Sequence, residues 1–232
     1  MATPKLIILD FDGTLFNTQT SITSTIHKTF ATLSPTHTPP LQSIQSQISK
    51  GTSITTTFRT LHPALSTQEI DSTWTPTYRA LYAAHGQDLV TPYPGAEYLL
   101  RSLKERGIPT AIVTNKGVQA VRVALERNGL GGLVDRELVV GDSTVGWTRK
   151  PDAGSFWDVL VPALKRRGVD LDGGEGEGVL VVGDTESDVF FARNVGAGAR
   201  VCWCLFGYGE LEGLGVDFVV DSLRDVLGVV DR

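Results

Sequence analysis

Several common features of proteins are scarce or absent in this sequence of 232 residues. Its two cysteines, Cys202 and Cys204, are too few for a disulfide framework or a four-cysteine zinc site, and they are typical of buried thiols in a reducing compartment. No apolar run approaches the roughly 20 residues of a membrane span. The first strand-like run also starts too close to Met1 to leave room for a signal peptide. These absences favour a cytoplasmic protein that has no membrane partner.

Basic residues are outnumbered as well. The 21 lysines and arginines against 26 aspartates and glutamates give a formal net charge of -5 and an isoelectric point near 5.4. Nucleic acids and anionic membranes bind basic surfaces, so we expect neither as a partner. The apolar content of 41% is that of a globular protein, and the length suits one core domain with a smaller subdomain.

One long stretch has no acidic residue at all, from Asp12 to Glu69. It contains three lysines and arginines, Lys28, Lys50 and Arg59. A positive segment on an acidic protein is what a lid over an anionic ligand would show, although a solvated helical surface rich in serine and threonine has the same composition. Apolar residues at helical spacing predict that residues 16–90 form a helical insert.

The remaining segments, residues 1–15 and 91–232, alternate strand-like and helix-like patterns. Short runs of branched aliphatic residues are separated by amphipathic stretches of 10 to 15 residues. This order predicts an α/β fold, in which helices cover both faces of a parallel sheet. Pro162 predicts a kink or a break in the helix that starts near Ser155, and the glycine-rich run at 173–178 predicts a turn.

Polar residues follow four of the predicted strands. Strand periodicity places Asp10 and Asp12, which follow the first strand, on the same side of the chain. The later strand ends carry Thr114 with Asn115, Asp142, and Asp184 with Asp188. Ligands bind at the carboxyl ends of parallel strands, so these side chains should meet in one crevice. Neighbouring carboxylates repel each other there and need a cation such as a divalent metal.

Four ordered motifs carry a family resemblance. They are DFDGT at 10–14, VTN at 113–115, RKPD at 149–152 and GDTESD at 183–188. In order and spacing they resemble the haloacid dehalogenase superfamily of hydrolases, in its phosphoglycolate-phosphatase-like branch with a helical cap after the first motif. The resemblance covers nearly the whole chain. It implies a Rossmann-like α/β core at 1–15 and 91–232 and a small α-helical cap at 16–90.

This resemblance implies Mg²⁺-dependent hydrolysis of a small, phosphorylated, anionic substrate. Asp10 would be the nucleophile that forms an aspartyl-phosphate, and Asp12 would protonate the leaving group and later activate water. Mg²⁺ would be bound by Asp10, by the main-chain carbonyl of Asp12 and by Asp184. Asp188 would support the metal's water shell or orient Lys150, unless it is only a carboxylate that stabilises a helix start.

The resemblance also implies which residues bind the substrate. Thr114, Asn115 and Lys150 would hold the phosphoryl oxygens and, in the case of Thr114 and Lys150, complete the catalytic set. The segment Lys50–Gly51–Thr52 resembles the family's substrate-specificity loop. Lys50 would then contact a second anionic group of the substrate, although a solvated lysine at a helix end has the same sequence pattern.

Other activities occur on the same scaffold. A dehalogenase would lack the second aspartate, so Asp12 argues against it. A phosphomutase would keep the motifs, and a phosphonate hydrolase would add a Schiff-base lysine, for which Lys28 and Lys50 are candidates. A non-catalytic binding or regulatory protein would have lost some of the motif residues, and none is lost. Phosphoglycolate, pyrophosphate, sugar phosphates and nucleoside monophosphates all stay open as substrates.

Overall fold

The computed structural model describes residues 3–171 and 175–232. The chain divides into two compact units, Met1–Asn17 with Pro92–Arg232 and, separately, Thr18–Thr91. Part of the turn predicted at 173–178 lies outside the described residues. Within the described ranges, no helix has both the length and the apolar character needed to cross a membrane.

The larger unit is built on a six-stranded sheet with the order β5-β4-β1-β6-β7-β8. Its strands are β1 (Leu6–Leu9), β4 (Thr110–Gly117), β5 (Val139–Asp142), β6 (Val179–Gly183), β7 (Arg200–Cys204) and β8 (Phe218–Val220). All neighbouring strands run parallel. β1 lies in the middle of the sheet, which explains why the run Leu6-Ile7-Ile8-Leu9 is apolar without alternation and fully buried. The predicted α/β fold is confirmed.

Helices cover this sheet. They are α6 (Ala96–Glu105), α7 (Val118–Arg127), α8 (Val161–Lys165), α9 (Glu186–Val195) and α10 (Val226–Val230), with a 3₁₀ turn at Arg136–Leu138. A π-helical segment, Ser155–Leu160, leads into α8. Pro162 has no N–H to donate, and the helix changes from π to α type beside it. The chain stays helical through this point, so the helix is not split at Pro162. Two short strands, β2 (Phe16–Asn17) and β3 (Thr91–Pro92), form a separate two-stranded sheet.

The smaller unit is helical. It contains α1 (Gln19–Leu33), α2 (Leu41–Ser49), α3 (Ile54–Leu61), α4 (Thr67–Glu69) and α5 (Thr75–Leu81), with π turns at Ile70–Trp74 and Tyr82–Gly86 and a 3₁₀ turn at Gln87–Leu89. Its core is aromatic around Phe30, Phe58 and Trp74. His37 and His62, distant in sequence, stack with ring centroids 4.8 Å apart beside Phe30, so these two half-buried rings pack against this core.

Candidate active site

The sheet register aligns the carboxyl ends of its three central strands. Leu9 of β1 is level with Ile112 of β4 on one side and Val182 of β6 on the other. The residue after β1, Asp10, still donates its N–H to the Val182 carbonyl over 2.9 Å. The polar residues at the carboxyl ends of these three strands therefore lie at one edge of the sheet, as the sequence predicted for them.

Three buried carboxylates cluster at this edge. Oxygen atoms of Asp10, Asp184 and Asp188 all lie within 4.8 Å of one another. The Lys150 ammonium donates to Asp10 Oδ1 and to Asp188 Oδ1, each over 2.6 Å. Three carboxylates against one ammonium leave two negative charges in excess when all four groups are ionised. An excess of this size, on hard oxygen atoms, matches a divalent cation such as Mg²⁺.

The pKa shifts of the cluster reflect the same imbalance. Burial raises the pKa of the Asp10 carboxyl to about 7, although the Lys150 ammonium opposes that rise. Burial, with the Asp10 and Asp188 carboxylates close by, also holds the pKa of Asp184 well above its ordinary value. Burial alone would lower the pKa of Lys150, but the Asp10 and Asp188 carboxylates outweigh it, so its pKa is raised and the ammonium stays charged.

Asp184 has a tightly built environment. Its Oδ1 accepts from the Thr14 hydroxyl and its Oδ2 from the Tyr208 N–H, each over 2.8 Å. Gly13 has a φ of 88°, and a Cβ atom there would collide with the Asp184 carboxylate. A Cβ atom on Gly207 would collide with the same side chain. The glycines of the first motif and of the segment after β7 are therefore required for Asp184 to fit.

The two oxygen atoms of Asp188 contact different sets of partners. Oδ1 holds Lys150, and Oδ2 accepts from the Thr185 N–H over 3.0 Å and from the Thr185 hydroxyl over 2.8 Å. The second set of contacts is a capping box at the start of α9. Of the predicted roles, this geometry combines orientation of Lys150 with stabilisation of the helix start.

Thr114 and Asn115 differ in what their side chains do. The buried Thr114 hydroxyl accepts from the Lys116 N–H over 3.2 Å, which leaves its own proton available for a ligand. The Asn115 side chain, which we expected to bind phosphoryl oxygens, instead clamps the main chain of Lys150. Its Oδ1 accepts from the Lys150 N–H over 2.8 Å, and its Nδ2 donates to the Lys150 carbonyl over 3.2 Å. This amide positions the lysine, and its contact with phosphoryl oxygens stays a prediction.

Asp12 is held outside the carboxylate cluster by a residue that the sequence reasoning missed. Lys116 Nζ donates to Asp12 Oδ1 over 3.0 Å and lies 3.4 Å from Oδ2. The available signal was a lysine directly after the VTN motif, on the same strand end as two predicted site residues. The hydrogen bond from the Thr14 hydroxyl to Asp184 was not predicted either.

The segment Lys50–Gly51–Thr52 belongs to the smaller unit and connects α2 with α3. Lys50 is exposed, and Gly51 has a φ of 61°, a conformation that favours glycine. The Thr52 hydroxyl donates to the Gln47 carbonyl over 3.0 Å and contacts the Thr57 hydroxyl at the same distance. Thr52 therefore stabilises the C-terminal end of α2. Contact of this segment with a substrate stays a prediction.

Comparison with known proteins places this site in a family. The sequence model for "haloacid dehalogenase-like hydrolase" matches residues 7–203, which is most of the chain and includes all four motifs. The chain belongs to the haloacid dehalogenase-like hydrolases. This confirms the family predicted from the motifs and makes the protein a hydrolase.

Its relatives in the family match over nearly their full length. A phosphoglycolate phosphatase of Rhodospirillum rubrum is 32% identical over 97% of this chain and 91% of its own. A pyrophosphatase, PpaX, of Bacillus cereus is 28% identical over 97% of this chain and 96% of its own. Among solved structures, one described as a predicted phosphoglycolate phosphatase from Haemophilus somnus superimposes with a TM-score of 0.79 at 22% identity, covering 99% of both chains. That last similarity concerns the fold.

Proposed function

We propose that this hydrolase is a Mg²⁺-dependent phosphatase that acts on a small phosphorylated metabolite through an aspartyl-phosphate on Asp10. The observation that carries the proposal is the buried cluster of Asp10, Asp184 and Asp188 around Lys150, with Asp12 held separately beside it. The names of the relatives, phosphoglycolate phosphatase and pyrophosphatase, support the same reaction class.

The residues of the cluster fit a bound Mg²⁺ ion. Asp10 and Asp184 provide buried carboxylate oxygens, and the two excess negative charges would be balanced by the ion. Asp10, Asp184 and the main-chain carbonyl of Asp12 would hold it. When bound, Mg²⁺ supplies positive charge that stabilises the phosphoryl group during transfer.

The first half of the reaction transfers the phosphoryl group to Asp10. One oxygen of the Asp10 carboxylate is held by Lys150, and the other forms the new bond to phosphorus. The bond between phosphorus and the leaving oxygen breaks, and Asp12 gives that oxygen a proton. Lys150 and the Thr114 hydroxyl stabilise charge on the phosphoryl oxygens, while the Asn115 amide fixes the main chain of Lys150.

The second half releases phosphate. Asp12, now ionised, takes a proton from a water molecule whose oxygen bonds to phosphorus, and the bond from phosphorus to Asp10 breaks. Asp12 regains its proton and Asp10 returns to the carboxylate. A phosphomutase would keep water from this intermediate, and a phosphonate hydrolase would need a lysine as covalent partner, so hydrolysis of simple esters separates these alternatives.

A panel of phosphate compounds with Mg²⁺, ranked by kcat/KM, tests the proposal directly. The panel contains phosphoglycolate, pyrophosphate, sugar phosphates, nucleoside monophosphates, p-nitrophenyl phosphate and an alkyl phosphonate. We expect phosphate release from p-nitrophenyl phosphate and higher kcat/KM for one small anionic metabolite. If purified, folded wild-type protein released phosphate from none of these compounds, the phosphatase proposal would be wrong.

Lys50 is the residue of the smaller unit that we propose to select the substrate. Lys50→Ala is expected to raise KM for the metabolite that ranks first by about 10-fold, because a contact to a second anionic group of the substrate is lost. KM for p-nitrophenyl phosphate, which has no such group, should stay within about 2-fold of wild type.

Arg59→Ala is the matched control for this variant, since it removes an exposed positive charge from the same unit. Arg59→Ala should leave both KM values near those of wild type. Equal rises in KM for both substrates in Lys50→Ala would remove Lys50 from substrate recognition.

A further inference from the structure

The two carboxylates of the first motif are paired with two different lysines. Lys150 contacts Asp10 over 2.6 Å, whereas Lys116 contacts Asp12 over 3.0 Å. Asp10 belongs to the cluster that would bind a metal, and the Asp12 side chain does not. The proposed nucleophile, Asp10, and the proposed proton carrier, Asp12, therefore belong to two separate ion pairs.

The backbone around Lys116 is shaped to bring this lysine to Asp12. The pairing of β4 with β5 shifts register between Val113 and Gly117, so the strand does not continue its simple alternation there. The Lys116 N–H bonds to the Thr114 hydroxyl over 3.2 Å, and the Trp147 indole N–H bonds to the Thr114 carbonyl over 3.2 Å. Both contacts fix the irregular segment from within the larger unit.

A glycine on the neighbouring strand makes room for this segment. A Cβ atom on Gly141 of β5 would lie 2.6 Å from the Lys116 carbonyl oxygen, closer than such contacts occur. The Lys116 side chain is 9% exposed and that of Asp12 is 24% exposed, so the pair is mostly shielded from water. An ion pair in such a location holds its geometry better than one on the surface.

We infer that Lys116 is a positioning residue that holds the Asp12 carboxylate between its two proton transfers. The inference rests on the proposed phosphatase function. Asp12 is ionised after it protonates the leaving group and before it takes a proton from water, and the ammonium of Lys116 restrains that ionised side chain at the reacting edge. Lys116 acts through Asp12 and does not itself bind substrate.

Lys116→Met tests the inference through its dependence on the leaving group. The kcat/KM value reports the steps up to phosphorylation of Asp10, in which Asp12 protonates the leaving oxygen and its carboxylate becomes ionised beside the Lys116 ammonium. The leaving oxygen of an alkyl phosphate needs that proton, whereas the leaving oxygen of p-nitrophenyl phosphate departs with little need for it. We expect kcat/KM to fall about 10- to 100-fold for the alkyl phosphate that ranks highest in the panel, with KM nearly unchanged, and less than about 3-fold for p-nitrophenyl phosphate.

Three further variants test whether Lys116 acts through Asp12. In the Asp12→Asn background, Lys116→Met should lower kcat/KM for the alkyl phosphate by less than about a further 3-fold, because the two residues act as one unit. Lys116→Arg should recover part of the lost activity. Lys104→Met, which removes an exposed lysine on α6, should match wild type on both substrates. Thermal unfolding checks that each variant is folded, and Lys116→Gln replaces Lys116→Met if that variant is not.

Three outcomes would overturn the inference while the phosphatase proposal stands. The first is an equal loss on both esters with a raised KM, which would indicate direct substrate contact by Lys116. The second is no loss on either ester. The third is that Lys116→Met lowers kcat/KM in the Asp12→Asn background by the same factor as it does in the wild-type background. Failure of the proposed function is a different result, since wild-type protein would then hydrolyse neither ester.

Discussion

Asp10→Asn is expected to lower phosphate release by at least about 1,000-fold, because an amide oxygen is a poor nucleophile towards phosphorus. The measurement is steady-state release from p-nitrophenyl phosphate and from the metabolite that ranks first, at saturating Mg²⁺. Wild-type protein quenched during turnover should carry covalent phosphate that hydroxylamine removes, and Asp10→Asn should carry none. Persistent turnover in the variant would assign the nucleophile to another residue.

The variant should be folded, which makes its inactivity informative. Asparagine has nearly the same shape as aspartate, and burial raises the pKa of Asp10 to about 7, so its charged form is disfavoured in the metal-free protein. Lys150 keeps Asp188 as a partner in the variant. Thermal unfolding without Mg²⁺ at neutral pH should show a melting temperature no lower than that of wild type. Asp158→Asn, at an exposed position of the same unit, is the matched control with full activity.

Removal of divalent cations is expected to abolish activity, and Mg²⁺ is expected to stabilise the fold. A ligand at 100 times its Kd adds about 2.7 kcal/mol, which corresponds to a rise in melting temperature of about 5 to 10 °C for a chain of this length. Asp184→Asn should lose most of this rise, since it removes a metal-binding charge and places an amide beside the Thr14 hydroxyl and the Tyr208 N–H. Asp158→Asn should keep the full rise.

The stabilisation by Mg²⁺ should grow with pH. The folded metal-free protein holds the pKa of Asp10 at about 7, above the ordinary value of 3.8, and shifts Asp184 in the same direction. Between about pH 4 and pH 7 it therefore binds more protons than the unfolded chain, so its stability is greatest at the acidic end and falls as pH rises. Mg²⁺ offsets the carboxylate charge that causes this loss.

Melting temperatures with and without Mg²⁺ at about pH 5 and about pH 7.5 measure this dependence. Both conditions lie above the range in which the surface carboxylates of Asp135 and Glu137 lose their charge, because their arginine contacts hold their pKa values below the ordinary ones. The rise caused by Mg²⁺ should be larger at the higher pH. A rise that is equal at both values, or larger at about pH 5, would place the cation elsewhere on the protein.

The fold was predictable from the sequence because each local pattern agreed with it. The unbroken apolar run of β1 required a strand that is covered on both faces, and polar residues at three later strand ends required a common edge. The family and the α/β class followed from those positions. The irregular helices of the smaller unit were predictable only as helix, because the spacing of apolar residues does not distinguish a π turn from an α-helical one.

The partners of individual site residues were not predictable in the same way. Thr114, Asn115 and Lys116 are consecutive, and the register shift after Val113 decides which of them faces the site. Strand periodicity alone would give the first and third residues one side of the sheet and the second the other. Neither the clamp of Asn115 on the Lys150 main chain nor the ion pair of Lys116 with Asp12 follows from spacing.

The Asn115 clamp has a consequence for how this enzyme can change over evolutionary time. Two hydrogen bonds join Asn115 on β4 to the main-chain N–H and carbonyl of Lys150, a residue 35 positions later. The main chain that carries the Lys150 side chain is therefore fixed directly to β4, by contacts that do not involve the exposed turns of the intervening connection. Insertions and deletions in the exposed turns of that connection should be tolerated, which leaves its outer surface available for new partners while the chemistry is inherited unchanged.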